Sequence, residues 1–184
     1  MRRFTIAAVA ALGLFGSGVA NAADFSVSSG EIKSHHKISD EQVAGIFGCK
    51  GGDVSPSLTW KDAPANTKSF AIMIYDPDAP TGSGFWHWVA FNIPATTTSI
   101  AKGASGKSMP AGTIESRTDF GVPGYHGPCP PPGPAHHYHV RVFAVDIPAI
   151  EGADANTSAA VIGFNLHFHT LAKAEIVGMY GVKK

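Results

Sequence analysis

The stretch from Asp76 to Pro94, DPDAPTGSGFWHWVAFNIP, restricts the fold more than any other part of the chain. It begins where an apolar run, Ser69 to Tyr75, stops at an Asp-Pro-Asp-Ala-Pro turn. Proline fixes φ and carries no backbone N–H, so Asp76 and Asp78 project from a stiff, non-repetitive segment at a strand's end. A Thr-Gly-Ser-Gly hinge follows, and Trp86 to Ile93 then restores a strand composition. The pattern predicts two strands joined by an elaborate corner. His87, eleven positions after Asp76, would then face the acid across one hollow lined by indoles.

The remaining sequence reads as strands and turns. Only 15% of residues are charged, while 21 glycines and 13 prolines break the chain often, which points to a β-rich body rather than a helical bundle. Phe25 to Ile32 predicts the first strand, Leu58 to Trp60 a short one, and His137 to Val145 a longer one with strict alternation. On that strand Tyr138, Val140, Val142 and Ala144 share one face, with His137, His139, Arg141, Phe143 and Val145 on the other. Ser39 to Gln42 has the form of a capping box, good for a turn or two of helix before Gly45 and Gly48. A helical stretch is expected from Thr157, broken near Gly163, with another turn or two over His169 to Glu175 and a short closing strand from Ile176 to Gly181. Asp119 to Pro134 holds six prolines and four glycines together with aromatic, His and Cys residues. It reads as an ordered loop packed over the hollow.

The first residues speak to compartment. Arg2 and Arg3 precede a run of apolar and small residues to Ala20, and Ala20-Asn21-Ala22 fits a small-x-small cleavage rule. Residues 1–22 are read as a secretory signal peptide cut before Ala23, and 23–184 as a single domain, placing the protein in the periplasm or outside the cell. The run is too short and too rich in Gly and Ala for a membrane span, and no later stretch could serve as one. The mature chain would keep 12 basic and 14 acidic residues, a formal −2. That balance argues against nucleic acid or an anionic membrane surface as an electrostatically recruited partner. Two cysteines, Cys49 and Cys129, in an oxidising space favour one disulfide over two free thiols.

DPDAP, the Trp86-His87-Trp88 strand, the Gly127-Pro-Cys-Pro-Pro-Pro132 loop and Ala135-His-His-Tyr138 together resemble the phosphatidylethanolamine-binding protein family. The likeness is to its exported bacterial branch of Raf-kinase-inhibitor-like proteins and covers nearly all the mature chain. It implies a mostly β fold, a Greek-key β-sandwich with a few short peripheral helices. It also implies a small pocket that accepts phosphate, acetate or a phospholipid head group. Carried over by motif, the pocket residues are Asp76, Asp78, His87, Gly127, Pro128, His136 and Tyr138. Two departures set the chain apart from eukaryotic members: Pro134 and His137 replace a Gly and an Arg, and the interval from Asp76 to His87 is shorter.

In physical terms an anion needs donors, which His87 and His136 can supply, with Asp76 orienting His87 and Tyr138 at the rim. Gly127 and Pro128 let loop backbone approach, and Trp86, Trp88 or Tyr125 would wall the site. The expected function is non-enzymatic binding of a small anionic or phosphate-bearing ligand, with a regulatory or inhibitory output towards a protein. No cofactor is called for, and a protein target and a homodimer stay open. The alternative is a metal-dependent hydrolase or metal carrier using His137-x-His139 and His167-x-His169, whose spacing on a strand puts both imidazoles on one face. A third reading is an interaction module with a vestigial pocket. A Cys129-His136-Asp76 nucleophile is opposed by the flanking prolines and the expected disulfide.

Overall fold

A computed structural model describes residues 24–183. The expected signal peptide lies outside these residues. The long apolar run becomes β3, Ser69–Asp76, buried along almost its whole length. A strand buried on both faces needs no alternation, which is why its sequence shows none. It sits at the centre of a five-stranded antiparallel sheet, between β4 (Phe85–Pro94) and β7 (His136–Val145). The sheet is completed by β6 (Ile114–Glu115) beside β4 and β8 (Thr170–Tyr180) beside β7. A second antiparallel sheet holds β1 (Ser26–Ser28), β2 (Leu58–Lys61) and β5 (Ser99–Ile100). The order places β7 beside β3 rather than beside β6, a Greek-key connection.

The two sheets close over one core, where Leu58 and Trp60 meet Phe70, Ile72, Trp88, Tyr138, Val140 and Val142. The expected faces of β7 hold: Tyr138, Val140, Val142 and Ala144 are buried there. On the other side of the large sheet, Ala71, Met73, Val89 and Phe91 pack against α1 (Ala159–His169). The described residues thus form a β-sandwich with one helix over one face.

Three expectations are corrected. Gly163 does not break α1, which runs for 11 residues from its Ser158 cap. Glycine costs a helix only about 1 kcal/mol, and burial of Ala159, Ile162 and Leu166 outweighs that. The segment from Thr170 is not a second helical piece but β8, which pairs with β7 from His136 to Val145. Its alanines and lysine favour helix locally, and the ten-rung ladder overrides them. Ser39 to Gln42 forms turns and no helix. The backbone of residues 40–44 is instead bonded to 51–54, through Gly52 N–H to Asp40 O, Val54 N–H to Glu41 O and Asp53 N–H to Val43 O.

Cys49 and Cys129 form a disulfide, with Cα atoms 6.0 Å apart and a sequence separation of 80. It ties the loop around Phe47 to the Pro-rich segment, a constraint on the unfolded chain as well as on the folded one. The double variant Cys49→Ser/Cys129→Ser is expected to lose roughly 2–5 kcal/mol, read as a lower urea midpoint. The denatured, unreduced wild type should show no reactive thiol.

Candidate functional site

The site is built where three central strands end together. β3 stops at Asp76, opposite Phe85 at the start of β4, while Tyr75 pairs with His139 near the start of β7. This register puts the DPDAP corner beside His136 and Tyr138. The corner needs a glycine: Gly84 has φ +70°, and a Cβ there would lie 2.2 Å from the Tyr75 hydroxyl, which itself donates to Ser83 O at 2.8 Å.

Asp76 is 3% exposed. One carboxylate oxygen accepts from Asp78 N–H at 2.9 Å, and the other accepts from His136 Nδ1 at 2.7 Å. Asp76 therefore orients His136 and not His87, because the β3–β7 register brings His136 within reach. His87 is held by the loop: its Nδ1 donates to His126 O at 2.8 Å, while His126 N–H donates to His87 O at 2.9 Å.

His87 points where it does because β4 is bulged. Ile74 pairs with Trp88 and Tyr75 with Trp86, which leaves His87 without a rung. The bulge resets the alternation. Trp88 joins the sandwich core, and Trp86 packs with the cluster under α1 and against Tyr75 at 4.3 Å. Neither indole, nor Tyr125, walls the hollow. That part is played by Phe85 and Phe120, 4.9 Å apart edge to face, with Phe47 stacked beyond Phe120.

Asp76, His87, His136 and Tyr138 thus line a single cavity of about 180 Å³, with apolar walls from Phe47, Phe85, Phe120 and Pro130. Such a space suits a head group or a small anion rather than a whole lipid. Burial pushes His87 below the usual histidine range, against the opposing pull of the His126 carbonyl and the Asp76 charge. Burial likewise pushes the Tyr138 hydroxyl far up, helped by Asp76. This hydroxyl is buried and makes no hydrogen bond of normal length, although the Asp76 carboxylate lies close enough to help hold its proton.

Comparison with known proteins agrees with this geometry. The profile described as phosphatidylethanolamine-binding protein matches residues 29–181. YbcL of Escherichia coli K12 is 46% identical over 168 residues, spanning 89% of this chain and 91% of that one. The chain belongs to the phosphatidylethanolamine-binding protein family. Within it the chain is of the YbhB/YbcL type: YbhB of the same bacterium is 47% identical over 154 residues, 83% of this chain and 97% of its own. The crystal structure of E. coli YbcL, titled a new member of the mammalian family, superposes with a TM-score of 0.85 at 45% identity, covering 88% of this chain and all of that one. A homologue from Chlamydia trachomatis, at 22% identity and a TM-score of 0.74, shares the fold.

In this family member the other expected site residues stand behind the cavity. Asp78 accepts from the backbone N–H of His137 at 2.8 Å and from its Nδ1 at 2.7 Å; the ring's bond, chiefly, holds its carboxyl below the usual range. Gly127 and Pro128 do not line the cavity but directly precede Cys129 and Pro130, which do. Gly127 donates to Asp53 at 2.7 Å, Pro128 O accepts from Ala44 N–H at 3.1 Å, and a Cβ on Gly127 would sit 2.0 Å from Gln42 O. They clamp the Pro-rich loop onto residues 42–44. The loop carried its own signal in sequence; Phe47, 78% exposed at φ +55°, carried none.

The structure gives each histidine of the two pairs its own surroundings. His137 is bonded to Asp78 and His139 lies 3.2 Å from Glu175. His167 and His169 are on α1, where positions two apart face different sides. Among the described residues no group of three or more ligating side chains converges. Cys129, bonded to Cys49, is no nucleophile.

Two outcomes follow from the burial. Tyr138→Phe removes an unpartnered hydroxyl, so urea denaturation should show stability unchanged or raised by up to about 1 kcal/mol. For His87, the unfolded ring takes up a proton as pH falls through about 6.5, whereas the folded ring resists it. Its contribution is present above that value and lost on acidification. Urea midpoints should fall from pH 7.5 to 5.5, and fall less in His87→Gln.

Proposed function

We propose that the cavity binds a small anionic or phosphate-bearing group, of the kind found in a phospholipid head group, and holds it without turning it over. The observation that carries this reading is the buried Asp76–His136 pair at 2.7 Å, set beside His87 and the free hydroxyl of Tyr138 in one apolar-walled hollow. With Nδ1 committed to Asp76, Nε2 is the His136 nitrogen left for an anion, to which it donates when it carries a proton. Tyr138 adds a second donor. Asp78, Gly127 and Pro128 act on the ligand by fixing the corner and the loop. Family membership supports the same ligand class.

The domain spans 23–184, exported behind a signal peptide cut before Ala23, and the Cys49–Cys129 bond supports an oxidising compartment. Among the described residues no helix is long and apolar enough to cross a membrane. The output is regulation of a protein target by the loaded or empty pocket. No observation favours the metal-dependent alternative.

Calorimetric titration of the whole mature protein with inorganic phosphate and with phosphoethanolamine tests the reading. His136→Ala should weaken both by at least about tenfold, a loss of roughly 1.4 kcal/mol. Binding unchanged in that variant, with its fold intact, would remove the site.

A further inference from the structure

We propose that His87 meets the ligand as a hydrogen-bond acceptor, so that the cavity selects an anion carrying its own proton, of the hydrogen-phosphate kind. The inference rests on the pocket reading and specifies its ligand.

The tautomer of His87 follows from geometry. Its Nδ1 is 2.8 Å from the carbonyl oxygen of His126. A carbonyl can only accept, so this nitrogen carries the hydrogen. His126 N–H returns a bond to His87 O at 2.9 Å, so the loop holds residue 87 at two points and the ring cannot turn without breaking the contact. A neutral imidazole has one N–H, and here it is spent. Nε2 makes no hydrogen bond of normal length to the protein, the Gly127 backbone adding only a weaker pull on the ring, and is left with a lone pair.

The surroundings keep the ring in that form. It is 4% exposed and packed against Phe85, Phe120 and Tyr138 at ring separations of 5.3, 5.6 and 5.2 Å. The titratable groups facing it are Asp76 on β3, His136 and Tyr138 on β7, and Asp119 and His126 in the loop. Burial outweighs the two carboxylates and keeps the ring below the usual histidine range.

The polar floor is therefore mixed. Tyr138 donates through its hydroxyl, His136 donates through Nε2 when that nitrogen carries a proton, and His87 accepts. A sulfate monoester or a phosphodiester brings only lone pairs, and would leave Nε2 facing another acceptor inside the cavity. A phosphate monoester in its singly charged form brings one P–OH for His87 and bare oxygens for the two donors. Leaving a buried acceptor unpaired costs enough to set a preference of about tenfold or more.

Methyl phosphate, methyl sulfate and dimethyl phosphate, titrated calorimetrically into the wild-type protein at pH 6, test this. About half of a phosphate monoester is singly charged there. Methyl phosphate should bind at least about tenfold more tightly than the other two, and the gap should widen as pH falls from 8 to 6. Taking the ratio of affinities cancels the titration of the protein's own groups. A gap below about threefold, or one that narrows on acidification, would overturn the acceptor role while leaving the pocket. Failure of all three to bind would overturn the pocket and the inference together. In His87→Gln, whose amide can present either end, the gap should close; a gap that persists assigns the selectivity elsewhere and overturns the proposal. Long-range proton–nitrogen NMR of the free wild-type protein gives a reading that does not depend on that variant folding. It should show Nδ1 protonated and Nε2 bare at pH 7, and the reverse would overturn the assignment.

Discussion

The hydrogen bond between Asp76 and His136 joins the end of one central strand to the start of its neighbour, and the site is arranged around it. A carboxylate that is almost wholly buried is costly unless its oxygens are used. Here both are: one takes the Asp78 amide inside the corner, the other the imidazole of β7. Asp78 in turn anchors the backbone and ring of His137. The corner and the strand are thus joined at adjacent points, and the His136 ring is oriented by its bond to Asp76.

The second constraint is the bulge in β4. Because His87 has no rung in the ladder, it escapes the alternation that would have placed it with the core or with the helix-covered face. The Pro-rich loop then captures it through both backbone groups of His126. That loop is itself held by the Cys49–Cys129 bond and by the close approach of Gly127 to Gln42. Two supports of independent origin, a strand defect and a stapled loop, set the donor and acceptor character of the cavity floor.

Much of this was legible in the residues. The prolines of DPDAP announced a rigid acidic corner, and the alternation of β7 announced which of its side chains enter the core. The six prolines of residues 119–134 announced an ordered loop near the site. The partner of Asp76 was not legible, because sequence distance favours His87 whereas the β3–β7 register favours His136, sixty residues away. The walls were misread for a similar reason. One bulged residue sends Trp86 and Trp88 to opposite faces, and the walls of the hollow fall instead to Phe85 at the start of β4 and Phe120 of the loop. The first half of β8, up to Glu175, reads as helix because alanine and lysine favour helix locally, while the ladder with β7 is a long-range gain that no local window contains.

What the sequence determined by itself is chemistry and breaks: which groups can carry charge or a proton, where prolines and glycines end an element, and the family to which the pattern conforms. What the tertiary structure decided is pairing, namely which acid meets which imidazole, which ring nitrogen is left free, and which aromatics line the hollow. The physical reason is that backbone propensity acts over a few neighbouring residues. Register, bulges and loop closure are set by burial and hydrogen bonding between segments that lie far apart along the chain.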